Sequence, residues 1–161
     1  MNTKKYSFTF EIANNHMGDL SHGKALLESL AEVVRDYDYE FLVKFQFRDL
    51  DTFIHPDYKG NHDYKFVKRF EETLLTDDQW NEIINHAKSL NFGVMCTPFD
   101  ENSVPRVVSM GFDVLKIASC SFTDWPLLEE VANQKLPIIA STAGCTIEEI
   151  DSVVTFFRNR E

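Results

Sequence analysis

"FLVKFQF", residues 41–47, is an apolar run with a lysine at its centre. Its hydrophobic residues do not alternate strictly, which is the pattern of a strand covered on both faces, as in a parallel sheet. Four other runs read the same way: Tyr6–Ile12, Phe92–Pro98, Val114–Ala118 and Pro137–Ser141. Helical patterns lie between them. Ala25, Leu26, Leu30, Val33 and Val34 form one apolar stripe. Trp80, Ile83, Ile84, Ala87 and Leu90 form a second, opened by the capping box Thr76-x-x-Gln79. Ile147, Ile150, Val153, Val154 and Phe157 form a third, opened by Thr146-x-x-Glu149, and shorter helices are expected over Ser103–Ser109 and Trp125–Ala132.

The order is therefore βα five times over, with one long insertion, Asp49–Thr73, after the second strand. Alternating strands and helices with short links predict an α/β fold with a parallel sheet and right-handed crossovers. An open doubly wound sheet and part of a (β/α)8 barrel both fit. No GxGxxG or GxxxxGK[ST] follows any strand, which removes support from the nucleotide-binding open sheets.

The bulk properties narrow the function. A chain of 161 residues suits one domain, 1–161. A formal net charge of -10 argues against a general nucleic-acid or anionic-membrane binder, yet leaves room for a locally positive pocket. The first residues are polar and lead straight into a strand, and no stretch of 18 apolar residues occurs, so a cytoplasmic protein is expected. Cys96, Cys120 and Cys145 show no metal or redox spacing and read as buried, reduced thiols near strand ends.

Ligands of parallel α/β folds bind at the C-terminal ends of the strands. Those ends supply Glu11, Asn14, Asn15 and His16; Lys44, Gln46 and Arg48; Thr97 and Asp100; Lys116, Ser119 and Ser121; and Ser141 and Thr142. Two lysines inside apolar strands stand out, because lysine is almost never fully buried without a partner. Structural salt bridges, one of them to Glu11, would account for Lys44 and Lys116. An anion site explains more: lysines act as point charges and nearby hydroxyls as donors, which suits a phosphate or a phosphate with a carboxylate. Beside Asn14, Asn15 and Gly18, His16 reads as part of a tight, polar active-site loop. The other histidines show no metal-ligand spacing and read as surface or loop residues. The pairs Glu71-Glu72, Asp77-Asp78 and Glu148-Glu149 read as solvated helix starts favoured by the macrodipole.

"EIANNHMGD", "VKFQ", "CTPFD", "LKIAS" and "PIIAST.G" resemble, in order and spacing, motifs of the N-acetylneuraminate (sialic acid) synthase family. The resemblance runs from about Phe8 to Phe157 and looks closest to an atypical branch. It implies a TIM-barrel-type (β/α)8 catalytic domain that condenses phosphoenolpyruvate with an N-acetylated amino-sugar, giving a nine-carbon 2-keto sugar acid and phosphate. It also implies a divalent metal, Mn or Mg, and a C-terminal antifreeze-like domain reaching into the partner subunit of a dimer. Carried over by motif, Lys44 and Lys116 hold phosphoenolpyruvate, with Thr97, Ser119 and Ser141 bonding its phosphate or carboxylate. Glu11 stands near the reacting carbons as a proton-transfer or water-orienting group. Asn15, His16, Gln46, Ser121 and Thr142 complete the substrate-binding set.

Two departures qualify what the resemblance implies. A family glutamate that contacts the sugar is matched here by Ser121, which leaves the acceptor open. A complete barrel has eight units where this chain has five, and the family's metal-binding histidines belong to the later strands. The chain is therefore expected to be an incomplete barrel carrying most of the phosphoenolpyruvate half of a site, inactive alone, with open sheet edges that favour a homodimer. A non-catalytic anion-binding or assembly module derived from that barrel is the alternative. A synthase for a phosphorylated sugar is a third reading; its extra basic site would have to be Arg48 or Lys65–Arg69, which read as a solvated helix face.

Overall fold

Five strands form in chain order: β1 (Ser7–Ala13), β2 (Glu40–Phe47), β3 (Gly93–Pro98), β4 (Val114–Ile117) and β5 (Ile138–Ala140). They come from a computed structural model that describes residues 6–160; the polar start, residues 1–5, lies outside the described residues. All neighbouring pairs are parallel and the sheet order is β1-β2-β3-β4-β5. A doubly wound sheet reverses its strand order at a switch point. Here every crossover steps the same way, which is the arrangement of successive barrel units.

The helices are α1 (Leu20–Val34), α2 (Leu50–Phe53), α3 (Lys65–Glu72), α4 (Asp77–Ser89), α5 (Ser103–Ser109), α6 (Trp125–Ala132) and α7 (Ile147–Arg158). Both expected capping boxes are present, at Thr76/Gln79 and Thr146/Glu149. Each satisfies two backbone N–H groups that a helix start leaves unpaired. Asp19 caps α1 by accepting from the Ser21 and His22 amides at 2.8 and 3.1 Å. The insertion is not a structureless loop: it folds as α2, a 3-10 turn at Pro56–Tyr58, and α3. Glu71 braces it by accepting from the Gly60 amide and pairing with His62, both at 2.8 Å. Glu71-Glu72 thus ends a helix, contrary to the sequence expectation, whereas Asp77-Asp78 and Glu148-Glu149 do lie in first turns.

One face of the sheet packs on the helices. Val43, Phe45 and Phe47 of β2 are buried there with Trp80, Ile83 and Ile84 of α4. The Phe45 and Trp80 rings meet edge to face at 5.6 Å. Val94, Cys96, Leu115 and Ile117 continue the layer across β3 and β4. Each fully buried aliphatic side chain contributes roughly 1.5–3 kcal/mol by its removal from water. Only Cys96 is buried as expected; Cys145 is half-buried and Cys120 exposed, and all three are free.

Side chains alternate along a strand, so the residues between these core positions face the other way. The second face therefore carries Glu11, Lys44, Gln46, Met95, Thr97 and Lys116. Among the described residues no helix is long and apolar enough to cross a membrane.

Candidate anion-binding site

The parallel register puts Glu11 opposite Lys44, Lys44 opposite Met95, and Gln46 opposite Thr97. Lys44 forms an ion pair with Glu11 and reaches Thr97 Oγ1 at 3.4 Å. The lysine side chain keeps 13% of its surface and the glutamate 50%. Glu11 is therefore not a buried acid in search of a partner; it is the open end of a pair whose lysine is sheltered.

Across the sheet, Lys116 Nζ donates to Ser141 Oγ at 2.5 Å and to the Ile117 carbonyl at 2.7 Å. Burial lowers its pKa from the ordinary lysine value, the positive charge of Lys44 adds to the shift, and Glu11 opposes it. The two lysines thus share one electrostatic neighbourhood, held apart by β3. Among the described residues Lys116 has no acidic ion-pair partner. The face carries two lysines, one paired acid and several hydroxyl groups.

The other expected site residues fall into three groups. Ser119 is half-buried and Cys120 exposed in the 3-10 turn Ser119–Ser121 at the end of β4. Ser121 is buried in that turn, its hydroxyl 3.9 Å from Cys120 Sγ. Asn15 and Thr142 are exposed at the ends of β1 and β5, where the Asn15 amide donates to the Ile12 carbonyl and the Thr142 carbonyl accepts from Cys145. Gln46 accepts from Arg48 Nη2 at 3.1 Å. Both border a small cleft with Asn14, Phe70, Thr73 and Leu74.

His16 corrects the sequence reading. It has no exposed surface, and its ring packs edge to face on Trp80 at 5.6 Å, on the helix side of the sheet. Its Nδ1 accepts from the Gly18 amide at 3.2 Å, and Nε2 has no partner among the described residues. Burial, with a small contribution from His22, pushes its pKa down to about 4. The turn that tips it inward uses left-handed backbone at Met17 and Gly18. A Cβ on Gly18 would stand 2.4 Å from the Glu72 carbonyl oxygen, so the loop needs glycine both for its angle and for its approach to α3.

Arg48 directly follows β2, in line with its place among the strand-end residues, whereas its other reading, as part of a solvated helix face, is overturned. It is not on a solvated helix face: its guanidinium lies 3.8 Å from the centre of Phe99, 4.4 Å from Phe70 and 5.6 Å from Phe53. Burial lowers its pKa to about 10, partly offset by Asp100 and the two nearby thiols of Cys96 and Cys120. Its period-2 relation to Lys44 and Gln46 was the available signal. Asp100, by contrast, is structural: its carboxylate accepts from the Asp49 amide, the Ser103 amide and the Ser103 hydroxyl at 2.6–2.9 Å. Among the described residues no three His, Cys, Asp or Glu side chains converge as a metal ion would require. The divalent metal implied by the family resemblance has no donor set among these residues.

Comparison with known proteins identifies a family and relatives for the chain. Residues 40–161 match the NeuB family. The chain is 32% identical to the N,N'-diacetyllegionaminic acid synthase of Legionella pneumophila over 164 aligned positions, which cover 92% of this chain and 44% of that enzyme. A solved structure assigned to spore coat polysaccharide biosynthesis (protein E) from Chromobacterium violaceum superposes with a TM-score of 0.93 at 50% identity, covering 97% of this chain and 46% of that one. N-acetylneuraminic acid synthetase of Leptospira borgpetersenii shares the fold, with a TM-score of 0.80 at 23% identity over 99% of this chain and 52% of that one. The chain spans less than half the length of the curated relatives it matches.

Proposed function

The chain belongs to the NeuB family, and we propose that it supplies the phosphoenolpyruvate half of a sialic-acid-synthase-like site. The observation that carries this reading is the convergence of Lys44 and Lys116 with Thr97 and Ser141 on one sheet face, with Glu11 as the single acid paired there. Phosphoenolpyruvate brings about two to three negative charges, given phosphate ionisation near neutral pH. Lys116 meets it as a partly desolvated point charge, and a weakened hydration shell makes its attraction to an anion stronger than in bulk water. Lys44 shares its charge between Glu11 and the ligand. The hydroxyls of Thr97, Ser119 and Ser141 donate to the remaining oxygens.

In the condensation itself a carbon–carbon bond forms between the methylene of phosphoenolpyruvate and the aldehyde carbon of an N-acetylated amino-sugar. Water adds to the neighbouring carbon and phosphate leaves, giving the 2-keto acid. Glu11, half-exposed and tethered by Lys44, is placed to orient that water or accept its proton. The acceptor lies against Gln46, Asn15 and the Ser119–Ser121 turn. The described residues alone do not complete the chemistry, so the chain is proposed to bind phosphoenolpyruvate without turning it over. Among the described residues strands β1 and β5 each pair on one side only, and we further propose that a second copy of the chain covers an open edge.

Titration calorimetry with phosphoenolpyruvate tests the reading: saturable binding is expected, with Lys116→Met losing it. Absence of binding overturns the synthase-derived site. Sustained phosphate release on adding an N-acetylated amino-sugar and manganese overturns the claim that the chain is inactive alone. A non-catalytic anion-binding module would show the same calorimetry but no response to any amino-sugar. In sedimentation, a stable monomer at micromolar concentration contradicts the dimer.

A further inference from the structure

Lys44 and Lys116 share one face of the sheet, yet their partners differ in kind. Lys44 pairs with the Glu11 carboxylate, a partner that favours the ammonium form. Lys116 has only neutral acceptors among the described residues: Ser141 Oγ at 2.5 Å and the Ile117 carbonyl at 2.7 Å. The same carbonyl accepts from the Ser141 amide at 3.0 Å, so the two acceptors are held in place together. An ammonium carries three N–H donors, and two of them are used here. A neutral amine carries two donors and a lone pair, so these two acceptors satisfy it completely and leave the lone pair for another partner.

Electrostatics favour the amine as well. Burial lowers the Lys116 pKa and the Lys44 charge adds to the shift; desolvation and a neighbouring cation are two routes by which a protein makes a lysine nucleophilic. The charged groups that act on Lys116 are Lys44 of β2 and Glu11 of β1, while β3 and the end of β5 bring Met95, Thr97 and Ser141, which are uncharged. The pair is thus divided: one lysine is kept as a cation and the other is eased toward the free base. A phosphate ester uses the charge of both. A nucleophilic amine beside a fixed cation fits another ligand, a carbonyl carbon with a carboxylate next to it.

We propose that Lys116 captures short 2-keto acids as an imine, with Lys44 and Thr97 holding the carboxylate. The Lys116 nitrogen bonds to the C2 carbonyl carbon, and the carbonyl oxygen takes up both amine protons and leaves as water. A C=N bond then stands where C=O stood, and no electrons are gained or lost. Ser141, hydrogen-bonded to the attacking nitrogen, relays the protons to the departing oxygen. Capture depends on the placement of Lys44, Lys116 and Ser141, and it is a covalent activity separate from the function proposed above.

The test incubates the whole chain with pyruvate and sodium cyanoborohydride, which delivers hydride to the imine carbon and fixes the adduct as a carboxyethyl group on the lysine. Peptide mass mapping then reads the fraction labelled at each lysine. At pH 7.5 Lys116 is expected to label at least tenfold more than Lys65 and Lys68, which are exposed on α3. That ratio should shrink toward pH 10, where the ordinary lysines also give up their protons. Lys44→Met should lower Lys116 labelling at least fivefold, because the carboxylate loses its partner. Acetone offers a carbonyl without the carboxylate, and its preference for Lys116 should be at least fivefold smaller than that of pyruvate, a comparison that needs no variant to fold. Even labelling across the lysines, an unlabelled Lys116, or equal preference for acetone and pyruvate overturns the proposal. Phosphoenolpyruvate in excess should protect Lys116. Selective labelling that it leaves unchanged supports the capture and counts against the function proposed above, so the two fail separately.

Discussion

Glu11 of β1 and Lys44 of β2 stand opposite each other in the parallel register and join their side chains on the face of the sheet turned away from the helices. The pair sets how much positive charge an incoming anion meets. Removing either partner should therefore move affinity in opposite directions. Lys44→Met is expected to weaken phosphoenolpyruvate binding about 10- to 100-fold, the equivalent of one charge-assisted hydrogen bond of roughly 1.5–3 kcal/mol. Glu11→Gln should tighten it about two- to fivefold, since a half-exposed pair is worth no more than about 1 kcal/mol. Calorimetry on both variants checks the signs; a loss of affinity in Glu11→Gln would show that the acid helps to hold the ligand.

Lys116 gives the site an alkaline limit. Burial and then Lys44 lower its pKa, so the folded chain sheds this proton before the unfolded chain does. Between the lowered value and the ordinary lysine value near 10.4, folded stability gains with rising pH because the unfolded state binds the extra proton. Anion affinity moves the other way, since the charge is lost. Phosphoenolpyruvate titrations from pH 7.5 to 10 should show affinity falling in the wild-type chain and a flatter profile in Lys116→Arg. Parallel profiles would remove Lys116 from the site.

His16 predicts acid sensitivity of the fold. Its pKa falls to about 4 in the folded chain against about 6.5 unfolded. Below pH 6.5 the unfolded state takes up a proton that the folded state refuses, so stability present near neutrality is lost as pH falls toward 4. The shift corresponds to about 3 kcal/mol. Thermal melts between pH 7 and 4 should show a smaller loss in His16→Asn, whose side-chain oxygen can still accept from the Gly18 amide. Equal losses would mean that other groups govern the acid transition.

Asp100 ties the start of the insertion to α5 through three accepted hydrogen bonds. Asparagine in its place loses the charge and presents a donor to donors. Asp100→Asn is expected to cost about 3 kcal/mol, lowering the melting temperature by roughly 6–12 °C. Ser103→Ala should cost less, because both amide donors keep their acceptor. Similar melting temperatures for the two variants would contradict the carboxylate's role as the shared acceptor.

The strands and long helices were legible because each local signal agreed with the fold. Apolar runs without alternation marked the parallel strands, and Thr76/Gln79 and Thr146/Glu149 marked two helix starts to the residue. Lys44 and Lys116 were legible because a lysine in an apolar strand needs an explanation. What sequence could not supply was direction and neighbourhood. His16 sits in a polar string, yet two left-handed residues after it turn the ring under Trp80. Arg48 looked solvated because its cage comes from Phe53, Phe70 and Phe99, which only the folded insertion and the end of β3 bring together.

The most direct measurement is the NMR spectrum of the chain with its lysines reductively methylated with carbon-13, a modification that keeps their charge. On addition of phosphoenolpyruvate the account predicts that the Lys44 and Lys116 methyl resonances shift together and saturate at one affinity, while those of Lys65 and Lys68 in α3 stay in place. Shifts confined to α3, or none at Lys44 and Lys116, would contradict an anion site on this face of the sheet.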